Sequence, residues 1–261
     1  MTSALMVQKD FYQLVGVIEP TRAVLKTRRK DLQATLREIK HYHSFIGTVR
    51  RFLGRIQEHQ ILNTITILPH IAGAIADDLQ DKVQQLDHLR EEQLQYVTSV
   101  NGKIDMILHN NAPATPSVKY EDLAKKIRSR DAEEVHAAYA TFTQQFPGWS
   151  DHRLTAQLHQ DALKDYTQYR EEALFNLLGC NYVYENMKII ADTIQRRVDH
   201  LRYTLDIYQE IIVLNRDLRV ARKGLRDVAE KGNKVYQAVQ ESYSRLEQIM
   251  TDLRNPQRFL P

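Results

Sequence analysis

Glycine and proline are scarce in this chain: nine glycines and seven prolines serve 261 residues. A fold made of short strands and tight turns needs many more of both, so the scarcity points to long helices. The prolines are also unevenly placed. Pro20, Pro69, Pro113, Pro116 and Pro147 precede a stretch from 148 to 255 that contains none. The single cysteine, Cys180, excludes an internal disulfide and a cysteine-based zinc cluster. No charge-free run reaches the roughly 20 residues of a spanning helix. The opening MTSALMVQKDF lacks the basic and apolar regions of a secretory signal, which predicts a cytoplasmic protein. Peripheral membrane association and non-classical secretion remain compatible with that reading.

Catalytic signatures are missing as well. Gly16, Gly47, Gly54, Gly73 and Gly102 stand alone in helical contexts, so there is no glycine-rich phosphate loop. There is no Gly-x-Ser-x-Gly elbow and no His-Glu-x-x-His pair. Cys180 lies in the apolar run NLLGCNYVY without a basic activator, as a buried inert thiol does. These absences predict a non-enzymatic protein without a cofactor.

What is present is apolar periodicity. Residues 3–18 form a short helix, and Pro20 fits the first turn of the next one. From Thr21, the positions Leu25, Leu32, Leu36, Ile39, Ile46, Val49, Leu53 and Ile56 recur at sums of three and four, predicting one helix of roughly 38 residues. Residues 61–76, ILNTITILPHIAGAIA, carry no Asp, Glu, Lys or Arg. A helical pattern then runs through Leu79, Val83, Leu86, Leu89 and Leu94 towards Ile107, and HNNAPATPS at 109–117 reads as a loop. Shorter helices are expected over 117–129 and 131–145. Beyond them, Val183, Met187, Ile190, Ile194, Val198, Leu201, Leu205, Tyr208 and Ile212 form a heptad seam. Leu218, Leu225, Val228, Val235, Val239, Leu246, Ile249 and Leu253 extend it as a rod that Gly224 and Gly232 could bend.

The predicted fold is all-α, an elongated antiparallel helical bundle or long coiled-coil hairpin with a small helical cap. Its expected regions are a hairpin over 1–110, a cap with loops over 111–148, and long coiled-coil helices over 149–261, together one elongated unit. The architecture parallels long-helix membrane-remodelling proteins and helical pore formers in general plan, with no shared motif.

Three features bear on function. With Arg22 at zero on a helical wheel, Lys26, Arg29, Arg37, Lys40, Arg51 and Arg55 fall within about 60° of it, while Asp31 and Glu38 lie near the opposite side. Residues 1–60 hold eleven Lys/Arg against five Asp/Glu, although the whole chain has a net charge of only +3. Such a basic face suits anionic headgroups or a binding partner, or else is merely solvated or paired with acids from another helix. Nucleic acid fits less well, because no aromatic side chains interleave with the stripe to stack on bases.

The second feature is the 61–76 segment, with Ile61, Leu62, Ile65, Ile67, Leu68, Ile71, Ala74 and Ile75. It is either a buried core helix or a bilayer-inserting tip, although sixteen helical residues span only about 24 Å. The third is a pair of Glu-x-x-His spacings, Glu38/His41 and Glu133/His136, which di-iron bundles also use. Chance accounts for them, and His41 and His43 point about 200° apart on a helix; no metal site is expected.

The leading functional expectation is a scaffold or self-assembling protein that binds a second copy or subunit, with its basic face against an anionic membrane. A membrane-inserting pore-forming toxin subunit using 61–76 is the alternative. A helical-bundle metalloprotein is the third reading.

Overall fold

The computed structural model describes residues 2–44, 47, 58–110, 140, 151–214 and 218–255. Among them all regular structure is helical: α1 (Thr2–His43), α2 (Glu58–Asn110), α3 (Asp151–Leu214) and α4 (Leu218–Arg254). The all-α fold is therefore as the periodicity predicts. The short helices expected over 117–129 and 131–145 lie outside the described residues. Two compact units are present, Met1–Val7 with Glu91–Leu178 and Gln8–Arg90 with Gly179–Pro261.

In the second unit, contacts run in opposite senses around the four helices. Thr64 on α2 meets Tyr42 near the end of α1, hydroxyl to hydroxyl at 3.3 Å. Arg90 on α2 lies over the ring of Tyr184 near the middle of α3, 4.3 Å from its centroid, while Gly73, earlier on α2, faces Arg202, later on α3. The Tyr182 hydroxyl donates to Asp252 at the end of α4 (2.7 Å), and Arg245 donates to Asn186 (2.9 Å). Arg222 early in α4 donates to the main-chain oxygen of His43 at 3.0 Å. Each neighbour is antiparallel, so the helices run up, down, up, down in the cyclic order α1, α2, α3, α4. Across one diagonal, Gly179 on α3 faces the ring of Phe11 on α1; Gly232 on α4 faces Leu36 of the neighbouring α1 and, across the other diagonal, Leu68 of α2.

The core is drawn from the predicted periodic rows, but Leu94 is exposed and Leu89 half-buried, and Ile46, Val49, Leu53 and Ile56 lie outside the described residues. Leu25, Leu32, Leu36 and Ile39 of α1 are buried, as are Leu79, Val83 and Leu86 of α2. Val183, Met187, Ile190, Ile194, Val198, Leu201, Leu205 and Ile212 of α3 are all buried, with Tyr208 half-buried. Leu225, Val228, Val235, Val239, Leu246, Ile249 and Leu253 of α4 complete the interior. Each such side chain contributes about 1.5–3 kcal/mol by leaving water.

Three boundaries differ from expectation. The helix from 2 does not stop before Pro20; α1 continues through it to His43. Gly16 and Pro20 are both exposed, so the Gly16 carbonyl that loses its helical donor faces water. The helix predicted to reach 58 ends instead at His43. There the Ser44 hydroxyl donates to the His41 carbonyl (2.6 Å) and accepts from the Gly47 N–H (3.0 Å), replacing helical bonds with side-chain ones. Only glycine fits at 47, because a Cβ there would overlap the His41 carbonyl oxygen. The C-terminal rod is not one rod, since α4 returns antiparallel to α3. Gly224 and Gly232 leave α4 unbroken and permit close approach, to the Tyr208 ring and to Leu36 and Leu68 respectively.

In the first unit, α2 from Glu91 and α3 up to Leu178 bury Val97, Val100, Ile104, Ala173 and Phe175. Lys103 sits 5.6 Å from the centroid of the Tyr166 ring, linking the two helices.

Candidate functional site

The second unit sorts its charge between two helix pairs. Residues 8–43 and 218–254, the neighbouring α1 and α4, carry sixteen Lys/Arg against nine Asp/Glu. Residues 58–90 and 179–214, the neighbouring α2 and α3, carry six against ten. One side of the bundle is therefore basic and the other acidic, with Asp77, Asp78, Asp81, Glu185, Asp192, Asp199, Asp206 and Glu210 all exposed on the latter.

The predicted stripe borders the groove between α1 and α4. Arg22 is half-buried and reaches Glu247 of α4 at 3.9 Å, a loose ion pair of small energetic weight. Arg29 lies over the Tyr243 ring, 5.3 Å from its centroid, a favourable cation–π placement. Lys26, Arg37 and Lys40 are exposed. From Arg22 to Lys40 the row covers about 27 Å at 1.5 Å per residue. Arg51 and Arg55 lie outside the described residues. Glu19 is the α1 acid on the same side, about 60° from Arg22 on the wheel. Tyr243 keeps its proton more firmly than a free tyrosine, first because its hydroxyl bonds to Glu247, then through burial and the Glu247 charge.

Tertiary packing adds cations that periodicity on α1 did not reveal. Arg222 comes from the early turns of α4 to meet His43 at the end of α1, with Arg226 one turn further along α4 and Lys40 three residues back on α1. His43 is held below its ordinary pKa, chiefly by burial, with the positive fields of Arg222, Arg226 and Lys40 acting in the same direction and a main-chain hydrogen bond opposing them. The early turns of α4 contain Arg219, Arg222, Lys223 and Arg226, and no acid stands in the first turn. That local run is the signal by which sequence could have found the cluster. Tyr243 likewise supplies, from α4, the aromatic neighbour that the α1 stripe lacks by itself.

The other predicted residues divide by face. Ile61, Ile65, Leu68 and Ile75 are fully buried, with Ala72 and Ala76 beside them. Leu62, Ile71 and Ala74 are half-buried, and Ile67 is 47% exposed. This segment forms one flank of the bundle core. Among the described residues no helix is long and apolar enough to cross a membrane. Glu38 accepts a 3.3 Å hydrogen bond from Thr64, and Glu133 and His136 lie outside the described residues. Among the described residues no group of three or more His, Cys, Asp and Glu is gathered for a metal ion.

Compared with family models, curated proteins and solved structures, the chain matches none.

Proposed function

We propose that this protein is a non-enzymatic helical scaffold that lies on an anionic phospholipid surface through its α1/α4 side. The observation that carries the reading is the separation of charge between adjacent helix pairs. A basic row about 27 Å long meets headgroups, at about 1 kcal/mol per cation near the surface, while the acidic α2/α3 side turns away. Tyr243 beside Arg29 offers an amphipathic ring at the same level. The α2/α3 side then takes the protein partner, a second copy or another subunit; Ile189, Tyr203 and Ile207 are exposed there on one face of α3. A surface contact is favoured over an inserted one because Ile61, Ile65, Leu68 and Ile75 are core side chains, and exposing them to lipid would require opening the bundle. The cytoplasmic leaflet is the membrane surface of matching charge.

The test is co-sedimentation of the full chain with phosphatidylcholine vesicles, with and without phosphatidylserine. Binding is expected only with phosphatidylserine and should weaken as salt shortens the screening length. Replacing the exposed Lys26 and Arg37 by Gln should weaken it further without affecting the fold. Equal binding to both vesicle types, or none to either, removes the proposal.

A further inference from the structure

We infer that the end of the bundle where α1 stops and α4 begins binds a phosphomonoester through Lys40, Arg222 and Arg226, and that a lipid headgroup carries that group. The lipid source rests on the membrane reading above; the phosphate chemistry does not.

The cluster joins two helices that are far apart in sequence. The Nε of Arg222 donates to the His43 carbonyl oxygen at 3.0 Å, which fixes the guanidinium plane while leaving its two terminal amino groups available to a ligand. A fixed guanidinium presents its paired donors to phosphate oxygens without first losing rotamer freedom. Arg226 follows Arg222 by one helical turn, and Lys40 precedes His43 by three residues on α1. The Arg222–His43 bond sets how these positions sit, with Arg226 one turn from one partner and Lys40 one turn from the other, and all three charges act on the His43 imidazole in the same direction.

Among the described residues no carboxylate forms an ion pair with these three. Glu230, one turn beyond Arg226, is engaged chiefly by Lys234 at 2.9 Å, with Arg226 a lesser influence on it. Asp227 turns about 140° away from Arg222 around the helix. Like charges one turn apart repel, and cations in the early turns of α4 oppose its dipole. The free protein therefore holds an arrangement that works against its own stability, and an anion relieves it. A phosphomonoester carries about −1.5 to −2 charges at neutral pH, whereas a bridging phosphodiester carries one. Convergent cations favour the more concentrated charge, so this end discriminates among anionic surfaces, while the row from Arg22 to Arg37 responds to charge in general.

The experiment measures binding of the full chain to two sets of phosphatidylcholine vesicles matched in surface charge, one containing phosphatidylserine and the other phosphatidic acid, whose phosphate is a monoester. The chain is expected to bind the phosphatidic acid vesicles about fivefold more tightly. The double variant Lys40→Gln with Arg226→Gln retains the Arg222 bond to His43; it should lose this preference and weaken phosphatidylserine binding only by the share of Lys40, the one cation it removes from the α1 row. Lys26→Gln with Arg37→Gln should weaken both and retain the preference. Equal affinity of the unmodified chain for the two sets overturns the inference and leaves the membrane reading intact. A preference that survives in the Lys40/Arg226 variant overturns it too.

Calorimetry with inositol trisphosphate separates the sources of phosphate and requires no variant. If no vesicle binds but inositol trisphosphate does, the membrane reading fails and the phosphate site stands with a soluble ligand. If neither vesicles nor inositol trisphosphate bind, both fail.

Discussion

Arg222 on α4 donates its Nε hydrogen to the main-chain oxygen of His43, the last residue of α1, at 3.0 Å. The final carbonyls of a helix have no partner within it, so this bond both caps α1 and joins it to the start of α4. Replacing Arg222 by Ala should lower unfolding stability by about 1 kcal/mol, the usual net value of such a bond at an exposed site. Arg222→Lys, which retains the charge but not the planar Nε donor, should lose most of the same amount. A urea midpoint for the lysine variant equal to that of the unmodified chain would show that charge, and not the bond, matters here.

His43 supplies a pH dependence whose sign follows from its environment. Burial, helped by Arg222, Arg226 and Lys40, depresses its pKa below the ordinary 6.5, so the unfolded chain takes up the proton first. The stability this neutral imidazole contributes is full above 6.5 and is lost as pH falls from there through the folded-state value. His43→Gln should therefore show a smaller drop in urea midpoint on acidification than the unmodified chain. Equal drops would mean that this imidazole does not carry the effect.

Within the charge-free segment of α2, neighbouring isoleucines have opposite surroundings. Ile65 is fully buried and Ile67 is 47% exposed. Ile65→Ala should cost about 2–5 kcal/mol, combining lost burial with the cavity left behind. Ile67→Ala should stay within about 1 kcal/mol. Thermal or urea unfolding of the two variants tests whether the segment is half of a core or uniformly apolar surface.

Two helical glycines should respond oppositely to a side chain. A Cβ at Gly102 meets nothing within 4 Å, and the position is exposed, so Gly102→Ala should stabilise the chain by about 0.5–1 kcal/mol through helix propensity. A Cβ at Gly232 would lie 2.6 Å from Leu36 Cδ2 and 2.7 Å from Leu68 Cδ2. Those methyls can shift for an alanine but leave no room for a branched chain, so Gly232→Val should destabilise by about 1–3 kcal/mol. Unfolding midpoints that move in the same direction for both variants would contradict the packing described.

Asp252 is buried near the end of α4 and accepts hydrogen bonds from the Tyr182 hydroxyl (2.7 Å) and the Gln248 amide (2.9 Å). Removing one donor leaves a buried carboxylate less well satisfied. Tyr182→Phe should cost about 1–3 kcal/mol, more than Tyr203→Phe, whose ring is 68% exposed. Similar unfolding midpoints for the two variants would show that the bond to Asp252 contributes little.

Much of this organisation is readable in the residues alone, because helical periodicity is a local property. The spacing from Leu25 to Ile39 and from Val183 to Ile212 identifies the buried rows, and the angular clustering of Arg22, Lys26, Arg29, Arg37 and Lys40 identifies the basic side of α1. The breaks are less legible. Ser44 ends α1 through hydroxyl bonds to His41 and Gly47, in a stretch whose apolar spacing would have allowed the helix to continue. The fold-back between Leu214 and Leu218 has only Asn215, Arg216 and Asp217 to announce it, without glycine or proline. Pro20 fails to end a helix because its unpaired carbonyl partner faces solvent.

By itself, then, the sequence determined an all-helical protein, its buried rows and one charged face, since each follows from side chains repeating along a single helix. Only the tertiary structure decided that α4 lies beside α1, which brings Tyr243 to Arg29 and Arg222 to His43. The physical reason is that pairing of helices depends on where the chain reverses and on close approaches such as Gly232 against Leu36 and Leu68. A repeat pattern compatible with several neighbours does not encode which of them it meets.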